Sequence, residues 1–132
     1  MRHSGWNYTS ASSYVTLSFY VKSSVSQNFF FRLTSSDGTG QSYVMETGTL
    51  SANTWTKITK TIPGNSNITI NDDTGEGFQI NISPFWGTDF TGSVSLNAWG
   101  AFNGAARTPD HTSTWYTTND ATFEITGLQL EL

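Results

Sequence analysis

Thr122-Phe123-Glu124-Ile125-Thr126-Gly127-Leu128-Gln129-Leu130-Glu131-Leu132 closes the chain, and its apolar residues change parity partway along. Phe123 and Ile125 are odd-numbered, whereas Leu128, Leu130 and Leu132 are even. Side chains of a strand alternate between its two faces, so an unbroken strand would send these groups to opposite sides of its sheet. One extra residue at Thr126-Gly127 removes the conflict, because a bulge with Gly in a left-handed conformation returns every apolar side chain to one core. The stretch predicts a long, buried, bulged strand that ends in mid-pattern.

The same two-residue period recurs upstream. Val15, Leu17, Phe19 and Val21 alternate with Thr16, Ser18, Tyr20 and Lys22, and Phe29, Phe31 and Leu33 repeat the pattern with Phe30 and Arg32 on the other face. Asp37-Gly38-Thr39-Gly40 reads as a turn, and Ser42 to Thr47 as a strand whose faces stay unassigned. Trp55 to Ile62 forms the next strand, with Trp55 placed in the core and Pro63-Gly64 ending it. Phe78, Ile80 and Ile82 alternate with Gln79 and Asn81 up to Pro84, and Val94, Leu96 and Ala98 alternate with Ser95, Asn97 and Trp99.

Two connections are long. Pro63 to Glu76 is polar except for Ile68 and Ile70, which predicts a short edge strand between two loops; Gly100 to Asp120 contains Trp115-Tyr116. No segment sustains a 3.6-residue apolar period, so little helix is expected. Seven to nine short strands separated by Gly, Asn and Ser clusters imply an all-β antiparallel β-sandwich. Periodicity does not choose between a jelly roll and an immunoglobulin-like order.

With 132 residues the chain, read as a single domain over 1–132, suffices for one sizeable core and is too short for two. Charged residues make up 12% and aromatics 14%, while Ser, Thr, Asn and Gly together reach roughly 45%, above ordinary usage. Disordered chains lack aromatics, so folding is expected, with a surface solvated by hydroxyls and amides. Such a neutral, hydrogen-bonding surface suits neutral polymers. A formal charge of −4 with six Lys and Arg argues against nucleic acid and anionic membranes. No apolar run approaches the roughly 20 residues that span a bilayer, so membrane insertion is not expected. The chain has no cysteine, which removes disulfides and thiolate metal sites and fits synthesis in a reducing cytoplasm followed by release.

The closing Ile125-Thr126-Gly127-Leu128-Gln129-Leu130-Glu131 resembles the end of modules found in phage tail fibres and related virion proteins. Trp55-Thr56-Lys57-Ile58-Thr59-Lys60-Thr61-Ile62-Pro63-Gly64 is similar to their central strand, and Leu96-Asn97-Ala98-Trp99 to their penultimate one. The resemblance runs from about Tyr14 onward. These modules in turn resemble the jelly-roll carbohydrate-binding modules of polysaccharide-degrading enzymes. The resemblance therefore implies a jelly roll excised from a longer chain, located in a virion (phage tail) or extracellular, binding a polysaccharide or cell-surface glycan and serving as a homo-oligomer within a fibre.

Sugar recognition needs flat aromatic faces for the C–H patches of a pyranose, and amides or Arg for its hydroxyls. Trp99 is the first candidate, because its parity opposes Leu96 and Ala98; the alternative is that it covers the end of the core. Trp86, Trp115 and Tyr116 fall in or beside loops, where they either form a recognition surface or cap the sandwich. Gln79, Asn81, Asn97 and Arg107 are the expected orienting groups, with Asp110 and His111 in the same loop as Arg107. Trp6 and Tyr8 read as packing residues or as part of a binding edge. Asn71-Asp72-Asp73 with Glu76 offers oxygen ligands for a structural calcium, although turn chemistry explains the segment equally well. For catalysis, the carboxylates are spread along the chain with no motif relating them, and neither a nucleophile elbow nor a phosphate loop occurs. The expectation is a non-catalytic binding module. The alternatives are a virion structural or oligomerisation module without glycan binding, or a small polysaccharide lyase or hydrolase.

Overall fold

A computed structural model describes residues 3–132. Seven strands form two antiparallel sheets, as the alternation requires: β1 (Tyr14–Ser23), β2 (Asn28–Ser35), β3 (Gln41–Thr49), β4 (Thr56–Pro63), β5 (Phe78–Ile82), β6 (Trp99–Ala101) and β7 (Phe123–Glu131). One sheet has the order β4-β1-β7 and the other β5-β2-β3-β6. A single helical turn, α1 (Thr114–Thr117), lies between β6 and β7. The fold is the expected all-β sandwich.

The core fills the space between the sheets. Val15, Leu17, Phe19 and Val21 of β1 meet Phe29, Phe31 and Leu33 of β2, Tyr43 and Met45 of β3, and Ile58 and Ile62 of β4. Phe19 and Phe31 pack edge to face across the layers, with ring centres 5.0 Å apart. Each of these fully buried side chains contributes about 1.5–3 kcal/mol relative to exposure. Trp6 closes one end of the core, its indole N–H donating to Ser13 O at 3.2 Å and its ring lying 5.6 Å from Phe78. It is a packing residue.

β7 carries the expected bulge. Ser18 pairs with Gln129 but Tyr20 pairs with Thr126, so β7 has one more residue than β1 between these points, and Gly127 has a φ of +64°. Val21 faces Ile125 and Leu17 faces Leu130, so both parity groups do turn to the core side. The strand is nevertheless not buried. It is the edge of the three-stranded sheet, and only Phe123 and Leu130 pack on the core, while Ile125, Leu128 and Leu132 are 38%, 50% and 67% exposed.

Three further expectations are corrected. Trp55 lies outside the core, 46% exposed beneath the Lys22 ammonium, because Ile58 and Ile62 set the inward parity of β4 and Trp55 has the opposite one. Val94 to Ala98 forms no strand; Leu96 makes a single parallel bridge to Val44, and regular pairing begins at Trp99. Ile68 and Ile70 belong to no edge strand either. Both are buried in the core, beside an isolated Asp37–Thr69 bridge.

Candidate functional site

β2 is covered on both sides. Phe29, Phe31 and Leu33 face the core, which leaves Phe30, Arg32 and Thr34 on the outer face of the four-stranded sheet. Pairing sets their neighbours: Arg32 lies between Asn81 and Val44, and Thr34 between Gln79 and Ser42. This face is roofed by the chain between Pro84 and His111. His111 packs 5.3 Å from Phe30 and is anchored by Nδ1 to Pro84 O at 3.3 Å and by Nε2 to Thr108 Oγ1 at 3.0 Å. Burial outweighs the Pro84 contact and the Asp110 charge and lowers the pKa of His111, so the neutral ring is favoured. Asp110 accepts a 2.6 Å hydrogen bond from Thr91 Oγ1. His111 and Asp110 thus fasten the roof to itself.

The roof leaves a cleft of about 540 Å³ over the sheet, lined among others by Arg32, Thr34, Gln79, Asn81, Phe102 and Arg107. A second hollow of about 350 Å³ lies on the far side of Phe102 and Arg107, over Ser42. Both volumes fall in the range of small-ligand sites. The Arg107 guanidinium sits among three rings, its carbon 4.6 Å from the centre of Phe90, 5.1 Å from Trp86 and 6.0 Å from Phe102. Its Nε donates to Gly104 O at 3.0 Å. Arg32 also lies over Phe102, 5.2 Å from its ring centre, and Phe102 as a residue is 41% exposed. Asn81 Nδ2 donates to Gln79 Oε1 at 2.7 Å, which leaves Asn81 Oδ1 and Gln79 Nε2 for other partners.

The polar groups under the roof are not all satisfied. Among the described residues four buried side-chain atoms lack a hydrogen-bond partner, and three of them, Arg32 Nη1, Thr34 Oγ1 and Ser42 Oγ, belong to residues lining these two hollows. Buried polar atoms are usually paired, with protein or with ordered water, so this clustering marks the outer face as one that takes its partners from water or from a bound molecule. Burial, and after it the charge of Arg107, lowers the pKa of Arg32.

Of the residues singled out from the sequence, Gln79, Asn81 and Arg107 come together in the cleft, and Trp86 backs Arg107. The others lie elsewhere. Trp99 borders the second hollow but lies outside the cleft, and its ring packs towards the core: it pairs with core-facing Tyr43, packs 5.3 Å from it, and donates its indole N–H to Pro63 O at 2.6 Å. Leu96 and Ala98 are not core residues, so the parity that placed Trp99 outside had the wrong reference. Trp115 sits in α1 against Phe29 and Phe123, with its indole N–H on Thr122 O at 3.1 Å, and so belongs to the core margin. Tyr116 is exposed and stacks on Phe85 at 4.4 Å, away from the cleft lining. Asn97 takes a left-handed φ of +57° and donates its backbone N–H to Val44 O, which makes it a turn residue. Arg32, Thr34 and Phe102 were missed. The available signal was Arg32 itself, a charge on the second face of an otherwise apolar strand.

The acidic segment after Ile70 is engaged in local bonds. Asp73 accepts the Gly75 N–H at 2.8 Å, Glu76 accepts Ser36 Oγ at 2.6 Å, and Asp37 accepts the backbone and side-chain amides of Asn71. Among the described residues no three His, Cys, Asp or Glu side chains group as a metal site would. Comparison of the chain with protein-family models, curated proteins and solved structures found no match.

Proposed function

We propose that the protein is a non-catalytic carbohydrate-binding module that holds a polysaccharide or cell-surface glycan in the cleft on the outer face of the four-stranded sheet. The observation that carries this reading is the meeting of Gln79 and Asn81 from β5 with Arg107 and Phe102 from the roof: amide and guanidinium groups around an accessible ring. That is the composition a sugar needs, an apolar platform with a few placed polar groups. Stacking passes to Phe102, while Trp86 and Phe90 hold Arg107 in position. Trp99 and Trp115 leave the proposed binding set and become scaffold. Binding without catalysis is supported by the carboxylates, since Asp37, Asp73, Glu76, Asp110 and Glu124 are each tied to a hydrogen-bond or ion-pair partner and none lines the cleft. The closing Ile125–Glu131 motif supports a place in a phage tail or other virion protein.

A glycan array probed with the wild type and with Asn81→Ala and Phe102→Ala variants tests the reading. Binding that both variants weaken supports it; no binding to any glycan removes it. A second reading, a structural module joined to neighbouring chains, is favoured by exposed Ile125 and Leu128 on β7 and Leu132 just beyond it. Native mass measurement showing a defined oligomer, together with a silent array, would select it.

A further inference from the structure

We infer that the cleft takes an acidic sugar, one whose ring carries a carboxylate, and that Arg32 together with Arg107 receives that carboxylate. This rests on the glycan-binding reading above and narrows it to a ligand class. Arg32 is only 4% exposed, yet it makes no ion pair and no side-chain hydrogen bond among the described residues, and its Nη1 has no partner. Its nearest charge of consequence is a second cation, Arg107, which shares the Phe102 ring with it. Among the described residues no carboxylate lines the cleft, and Glu76 at its margin is tied to Ser36 Oγ. Shortage of acid does not explain this, because the chain has ten Asp and Glu against six Lys and Arg. Removing a guanidinium from water without a counter-charge is unfavourable, and an apolar side chain of similar size would suit the resting fold better. The missing counter-charge is therefore assigned to the ligand.

The geometry favours a carboxylate on a sugar ring. A guanidinium is a planar fork that matches a carboxylate with two parallel bonds. Both guanidiniums border the Phe102 ring, 5.2 and 6.0 Å from its centre, and so stand beside the acidic edge of a pyranose packed on the exposed part of that residue. Asn81 Oδ1 and Gln79 Nε2 remain for ring hydroxyls. The protein's overall negative charge does not oppose this, since the site's own charge acts at contact distance and distant charges are screened.

The test is titration calorimetry of the whole chain with oligomers of a polyuronic acid and with sialylated oligosaccharides, each beside its carboxyl-reduced form, and with a sulfated oligosaccharide. Binding to a carboxylated glycan is expected, weakened about tenfold or more by carboxyl reduction and falling with added salt. Arg32→Met is expected to lose that affinity while melting at a higher temperature, since it removes an uncompensated buried charge; a residue kept only for structure would melt lower. Equal binding of reduced and acidic forms, preference for the sulfated ligand, or an R32M variant that keeps its affinity or melts lower would overturn the inference while leaving glycan binding in place. Silence towards every glycan, neutral or acidic, would overturn both.

Discussion

Single residues reveal how little slack the sandwich has. Gly64 ends β4 where the N-terminal segment crosses it, and a Cβ there would stand 2.5 Å from Ser10 O and 2.6 Å from Tyr8 O, both backbone atoms that cannot rotate aside. Gly64→Ala is expected to cost about 2 kcal/mol or more, read as a lower urea midpoint. His111 imposes a pH dependence. Its folded pKa lies below the ordinary histidine value of about 6.5, so between the two the unfolded chain binds more protons. Stability from this group is complete above about pH 6.5 and declines as the pH falls towards the folded pKa. The urea midpoint should drop between about pH 7 and pH 5, and His111→Gln should flatten that slope; an unchanged slope in H111Q would assign the effect to other groups.

Among elements, α1 shows that a loop aromatic belongs to the scaffold. Trp115 fills the margin between Phe29 and Phe123, and its backbone N–H is held by Gln27 Oε1 at 2.9 Å. Trp115→Ala should cost about 3–5 kcal/mol, as large aromatic truncations do, yet leave glycan affinity within about twofold under conditions where the variant is folded. A selective loss of affinity would return Trp115 to the site. The edge strand β7 behaves differently: its Leu128 turns to the core side but is half-exposed and packs on no core residue, so Leu128→Lys should change stability by no more than about 0.5 kcal/mol. The same change should lower self-association in light scattering, because a lysine on an open sheet edge opposes pairing with another chain.

At the scale of the molecule, the sandwich could be read from the sequence because its inward positions obey a strict two-residue period: Val15 to Val21, Phe29 to Leu33 and Phe78 to Ile82 all lie where alternation put them. The parity change at Gly127 also predicted the bulge correctly. What alternation cannot encode is which strands sit at an edge, hence the expectation of a buried β7; the core placement of Trp55 instead ran against alternation, since its parity opposes that of Ile58 and Ile62. The site was half legible. Gln79 and Asn81 follow from outward parity on β5, but Phe102 and the cage around Arg107 depend on how an irregular stretch of chain folds over a sheet, which no period describes. Arg32 was seen as outward, and its burial came from that roof.

The two-sided covering of β2 has a dynamic corollary. Backbone hydrogen bonds enclosed by a core on one side and a roof on the other open only when the whole domain unfolds, so amides of Asn28–Ser35 should be among the slowest to exchange with deuterium. Arg32 is therefore mounted on the longest-lived part of the molecule. On the proposed glycan reading, a ligand paired with Arg32 meets a backbone already set, and the adjustment it requires is confined to the roof that keeps this side chain 4% exposed.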